Sequence, residues 1–235
     1  MPVPRNKPLE ADTTVPARRL LTDDVFDRLS DEIVRGFLAP GERIRDQDLA
    51  ARLGLSRATV RTAILRLTDV GLVETVPNLY TRVTPIDVER YLQTQDTVRA
   101  LHVFAVRYGT PLLTAEQIGA LRDWAVHLDA RDEVDREAIF NGSTVRNFLT
   151  VFQEAMRNRP LDRTMSRLQP HLQRVMGQYS HLMPARQVDA ALRAVVEAAA
   201  AFEADAAAEA LTAFYDGPLA VFHQRLAEQP ELVGE

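Results

Sequence analysis

The chain has 235 residues, enough for two modest domains or one larger one. Its composition, 46% hydrophobic and 26% charged, is that of an ordinary water-soluble protein, and no run approaches the roughly 20 apolar residues of a membrane helix. The absence of cysteine excludes disulfides, thiol catalysis and thiolate-held metals. The formal net charge of −5 argues against a polyanionic partner only until it is divided along the chain: residues 1–85 carry 13 Lys+Arg and 12 Asp+Glu, the remainder 15 and 21. Between Ala50 and Leu67 stand Arg52, Arg57, Arg61 and Arg66 with no acid, a local basic surface of the kind that meets phosphate.

Residues 1–20 hold four prolines and no periodicity, and read as a flexible arm. The start, Met1-Pro-Val-Pro-Arg, lacks the apolar core of a secretory signal, so a cytoplasmic protein is expected. Helical spacing begins at Thr22, with Asp23 and Asp24 suited to the positive end of the helix dipole and Val25, Leu29 and Ile33 on one face. Pro40-Gly41 ends this element. A short second helix is predicted over about 46–53, stopped by Gly54. Ser56 then caps a third over about 57–70, with Val60, Ile64 and Leu67 inward. The Gly-Leu-Ser link is the short turn of a helix-turn-helix. After Gly71, residues 72–76 and 81–84 alternate as two short strands around Pro77-Asn78-Leu79-Tyr80. Three helices followed by a hairpin is the order of a winged helix.

From about Asp87 onward every segment reads helical: about 87–108, 114–129, 132–141, 143–157, 161–182, 184–201 and 203–228. The expected fold is therefore mainly α, with an N-terminal winged helix-turn-helix at 21–85 and an antiparallel all-α bundle at 86–230.

A helix that reads DNA presents its first turns to base edges in the major groove. Ser56, Arg57 and Thr59 occupy the first turn of the third helix, and Arg61 lies one turn on along the same face. Arginine binds guanine bidentately or holds a phosphate. Gln47, opening the second helix, is placed to touch the backbone, and Asn78 and Tyr80 are the wing-tip candidates. A rival reading, a winged helix that binds protein, draws on the acidic total charge; the charge over the third helix discriminates the two. An enzyme finds no support: there is no nucleophile elbow, phosphate loop or metal-ligand pair such as HxxxH.

The stretch Asp46–Val73, DQDLAARLGLSRATVRTAILRLTDVGLV, closely resembles the winged-helix signature of the GntR family of bacterial transcription factors. The matching places are Ser56-Arg57, Val60-Arg61, Arg66-Leu67 and Gly71-Leu72-Val73, with Pro40-Gly41-Glu42-Arg43-Ile44 as the approach. Thr59 and Thr62 stand where the family usually has Pro and Glu, and the wing tip lacks the family's glycines. The helical part resembles the effector domain of the FadR-type branch at Val98-Arg99-Ala100-Leu101 and over Phe148–Leu161, with Asn158 near the turn.

Many relatives hold a divalent metal through Asp and three His. The resemblance puts those ligands at Val145, Leu149, the stretch Leu192–Ala194, and Phe214 or Tyr215, none of which is Asp or His. No metal or other cofactor is expected. Without one, a carboxylate effector needs arginine or hydroxyl donors; Arg99, Arg174 and Tyr215 are the candidates, with His102 one turn from Arg99, and the apolar replacements suit an acyl or aromatic acid. The resemblance implies a homodimer on a palindromic DNA operator, acting as a repressor and answering to a small organic acid.

Overall fold

The computed structural model describes residues 22–77, 79–129 and 143–229. The sequence-predicted arm at 1–20, the helix at 132–141 and Asn78 lie outside these residues. The chain divides into two compact units at the Pro85–Ile86 junction.

In the first unit, α1 (Thr22–Val34) buries Val25, Leu29 and Ile33, spaced four apart so that they share one face. Helix α2 (Asp46–Leu53) ends where Gly54 adopts φ 67°, a left-handed conformation that costs a residue without Cβ little. The Leu55 N–H then closes on the Ala50 carbonyl at 3.0 Å. Helix α3 (Arg57–Asp69) starts at Ser56, whose hydroxyl accepts the Thr59 backbone N–H at 3.1 Å, and buries Val60, Ala63, Ile64 and Leu67. Gly71, at φ 76°, turns the chain out of α3 so that the Leu72 N–H reaches the Leu67 carbonyl at 2.9 Å. Leu72 is fully buried, a contribution of about 1.5–3 kcal/mol for a side chain of this kind.

Strands β1 (Val73–Val76) and β2 (Tyr80–Val83) pair antiparallel in the register Val73↔Val83, Glu74↔Arg82, Thr75↔Thr81 and Val76↔Tyr80. Side chains alternate, so Val73 and Val83 enter the core while Glu74, Val76, Tyr80 and Arg82 share the outer face. The segment after Pro40 does more than turn. Gly41 N–H donates to Val83 O at 3.0 Å, Val83 N–H to Glu42 O at 2.9 Å and Ile44 N–H to Thr81 O at 2.9 Å. Arg43 thereby bridges to Arg82, an edge pairing that four residues of irregular pattern did not advertise.

Every element of the second unit among its described residues is helical. Helix α4 (Val88–Gly109), capped by the Asp87 carboxylate, runs through its middle. Helices α5 (Ala115–Asp129), α6 (Ser143–Met156), α7 (Arg159–Gln178), α8 (Ala185–Ala200), α9 (Ala204–Phe214) and α10 (Ala220–Ala227) follow. Helix α4 packs against α6, α7 and α9. Its crossing with α6 depends on Gly109: a Cβ there would stand 2.5 Å from the Phe152 backbone oxygen.

Two stretches depart from the expected pattern. Helix α7 starts at Arg159, with the Asn158 side chain accepting the Leu161 N–H, and continues through Pro170 before a separate short turn at Ser180–Leu182. The expected single helix over 203–228 is divided by a π-helical turn at Tyr215–Leu219, with Pro218 inside it. A π turn spends one extra residue per hydrogen-bonded loop, which hydrophobic periodicity over so short a stretch does not reveal. The described fold is mainly α with a two-stranded wing.

Candidate functional site

The caps described above aim the outer face of α3. Arg57 and Arg61 are both exposed, the Arg57 side chain by 64%. The core-facing residues of α3 hold this face outward, so neither guanidinium is packed inside the unit. Arg57 is tied to Asp46 at the start of α2, Nη2 to Oδ1 at 3.0 Å. Such an exposed pair is worth little in water and exchanges readily for another anion. The Thr59 hydroxyl shares a 2.7 Å hydrogen bond with that of Ser56, so both belong first to the cap. Gln47 is exposed beside Asp46. Leu65, 58% exposed, continues the Arg57–Arg61 line by one more turn.

Sorting the arginines of this unit by partner is informative. Arg28 and Arg52 share Glu32, Arg35 holds Asp31, Arg57 holds Asp46, Arg66 holds Asp23, and Arg82 holds Glu74. Arg43, Arg45 and Arg61 are exposed and have no carboxylate partner among the described residues. Sequence reasoning found Arg61 but missed the other two, because ion pairing across elements is not visible in one dimension. Tyr80 is half-buried under guanidinium groups on the wing's outer face, 4.7 Å from Arg82 and 5.6 Å from Arg43. On α3 itself Arg61 is the exposed guanidinium without a carboxylate partner among the described residues, and Leu65 is its exposed apolar neighbour one turn on.

The helical unit contains a polar interior. The His102 Nδ1 and the Tyr215 hydroxyl meet at 2.6 Å, both residues buried. Burial pushes the imidazole down to about 3, so it is neutral near neutral pH, and pushes the Tyr215 phenol up against the smaller opposing effect of the Arg99 charge. Arg99, on the same face of α4, reaches Asp216 at the π turn through two contacts of 2.6 and 3.1 Å and lies 5.8 Å over the Tyr215 ring. Three of the four ligand candidates therefore converge where α9 becomes the π turn. Arg174 comes from α7 and is buried, its guanidinium pushed down to about 10 by desolvation. A second phenol–imidazole contact, Tyr91 Oη to His223 Nε2 at 3.3 Å, joins α4 to α10.

Sequence reasoning missed Gln95 on α4 and Gln153 on α6. Both are buried, and Gln95 Oε1, Gln153 Nε2 and His102 Nε2 have no hydrogen-bond partner among the described residues. A lone buried polar atom costs about 1–3 kcal/mol, so such atoms mark positions where a ligand or water completes the set. At the positions where the resemblance places metal ligands, Leu149, Leu192 and Phe214 are buried apolar side chains. The Val145 side chain lies outside the described ones. No group of three His, Asp or Glu able to hold a metal occurs among the described residues. No described helix is long and apolar enough to cross a membrane.

Comparison with known proteins matches both units. A family model described as "Bacterial regulatory proteins, gntR family" covers residues 21–83, and an FCD domain model covers residues 93–217. The chain is 29% identical over 117 residues to an HTH-type transcriptional regulator of Streptomyces ambofaciens, across 50% of this chain and 49% of that one. This chain thus spans about half the length of that relative. It is 28% identical over 213 residues to the HTH-type transcriptional regulator BphR of Paraburkholderia xenovorans, across 88% of this chain and 86% of the other. The solved structure of Escherichia coli McbR/YncC has the same fold, with a TM-score of 0.72 over 89% of this chain and 100% of that one at 19% identity.

Proposed function

The chain belongs to the gntR family of bacterial regulatory proteins and carries an FCD domain, and from that premise we propose that it represses transcription as a homodimer on a palindromic operator and answers to a small organic acid. Residues 21–85 form the DNA-binding part, 86–230 the dimerisation and effector part, and 1–20 an arm. The observation that carries the DNA reading is Arg61, exposed on the outer face of α3 with no carboxylate partner among the described residues. Arg57 exchanges Asp46 for phosphate or guanine as the duplex arrives. Ser56 and Thr59 present the helix N-terminus, Gln47 supports from α2, and Tyr80 contacts sugar or backbone from the wing.

An apolar stripe along the end of α4 and the short turn Thr110–Leu112 after it supports dimerisation through the helical unit. Phe104, Tyr108 and Leu112 succeed one another at four-residue spacing, are 40%, 56% and 55% exposed, and the first two rings lie 4.8 Å apart. Two copies then offer two α3 helices to half-sites about one helical turn apart. Such a dimer seated over a promoter denies the groove to other proteins, hence repression.

The effector is an acid held in the helical unit by Arg174, the His102–Tyr215 pair and Arg99, with the unsatisfied atoms of Gln95 and Gln153 as further contacts. The ligand controls DNA binding only as far as it prefers one arrangement of the two DNA-binding parts.

Gel-shift titration on duplexes selected from a randomised pool tests the first part, with Arg61→Ala expected to lose most affinity; undiminished binding overturns the assignment. Sedimentation of Tyr108→Glu tests the interface: a dimer that survives places it elsewhere. A thermal-shift screen of small acids tests the effector, and no stabilisation by any of them removes that part of the proposal.

A further inference from the structure

The geometry of the wing points to Leu79 as an apolar wedge that enters the DNA minor groove and unstacks a base step, with Arg43 and Arg82 gripping the phosphates beside it. This rests on the DNA-binding reading above and adds to it a second contact of a different kind, outside the helix that reads bases.

The wing is fixed at both ends. At its base, the Thr84 hydroxyl donates to the Gly71 carbonyl at 3.0 Å, tying β2 to the end of α3. At its tip, the Leu79 N–H donates to the Val76 carbonyl at 3.0 Å, closing the turn. The third edge, Gly41–Ile44, stiffens the hairpin from the other side through the bonds described above. On the outer face the register sets Val76 beside Tyr80 and Glu74 beside Arg82, and the Arg43–Arg82 bridge adds a second guanidinium to the Tyr80 ring. Tyr80 thus forms the body of a cation-flanked platform, with the exposed Leu79 preceding it at the turn.

Leu79 is 70% exposed, the highest exposure of any large apolar side chain among the described residues, with Val76 next to it at 39%. Its side chain has neither donor nor acceptor, so it can hydrogen-bond no base edge and hold no phosphate. Proteins that bind the minor groove and bend DNA insert apolar side chains of this kind between base steps, which opens the stack and bends the helix. Arg43 has no carboxylate among the described residues to release before it binds phosphate, whereas Arg82 shares Glu74. The asymmetry makes Arg43 the stronger anchor.

The test uses the full chain and duplexes selected from a randomised pool on the wild-type protein. Bend angle is read from circularly permuted fragments, and unstacking from 2-aminopurine placed along the site. The wild type should bend its duplex by about 20–90° and brighten one or two adjacent positions. Leu79→Ala and Leu79→Gly should lose the bend and the brightening and bind about tenfold more weakly. Leu79→Met should keep all three, and Arg43→Ala should weaken binding and lower the salt slope by about one while the bend remains. If Leu79→Ala binds and bends as the wild type does while Arg61→Ala does not bind, the wedge is overturned, the DNA reading stands, and the tip belongs to a protein contact. If the wild type retains no duplex from the pool, both fall together.

Discussion

In the unit that ends at Pro85 the buried core among the described residues is wholly apolar, and the charges stand outside in exposed pairs such as Arg35–Asp31 and Arg57–Asp46. The unit that follows buries Gln95, His102, Thr110, Gln153, Arg174 and Asp189. The first arrangement suits a part that reads with its surface: a dry core holds α3 and the wing in one geometry, and weak surface pairs give way cheaply to phosphate. The second suits a part that reads with its interior, since polar groups taken out of water cost stability unless something hydrogen-bonds them. The contrast fits the proposal that the first unit keeps its specificity on a face and the second inside its bundle.

Substitutions in either unit break or sharpen that contrast. The largest effect is expected from Arg57→Ala with Arg61→Ala. At about 1–3 kcal/mol for each lost base contact, the double variant should fall to non-specific binding with its thermal stability unchanged. Unfolding alongside the loss of binding would show these side chains to be structural. Next comes Gly109→Ala. In an open helix this change stabilises by about 1 kcal/mol. Here the added methyl meets the Phe152 backbone, which cannot swing aside, and urea denaturation should show a net loss of about 1–3 kcal/mol.

The polar interior of the second unit gives a pH signature of its own. His102 sits at about 3 in the folded chain against 6.5 when exposed, so the unfolded chain takes up the proton first. The stability tied to its neutral form is complete above about pH 6.5 and declines as pH falls below that value. It amounts to about 2 kcal/mol lost by pH 5. His223, also lowered by burial, adds in the same direction. His102→Gln should flatten this limb in urea midpoints compared at pH 7.5 and 5; an unchanged slope assigns the acid sensitivity elsewhere. The smallest effect is that of Ser56→Ala, about 1 kcal/mol for a lost N-cap, read as a lower melting temperature and weaker duplex binding together.

What the sequence disclosed follows from the range of the forces involved. Ser56, Gly54 and Gly71 set helix ends through contacts a few residues away, so α2, α3 and the hairpin were legible nearly to the residue. His102, Arg99 and Tyr215 were each singled out, yet their meeting was not, since the hydrogen bond joins positions 113 apart in the chain. The Arg43 edge stayed hidden because a lone bridge imposes no alternation on its own strand. Gln95 and Gln153 look like surface glutamines until neighbouring helices cover them.

The π turn at Tyr215–Leu219 holds a surplus residue in an otherwise continuous helical rod. Deleting one residue there would let the rod wind as ordinary α-helix with its flanks close to their present phase, because the wide turn already absorbs the surplus residue. Tyr215 and Asp216 lie within that turn, so their contacts with His102 and Arg99 depend on it. A single codon's worth of length therefore sets the wide turn that brings Tyr215 and Asp216 to α4, while α10 keeps its own contact with Tyr91.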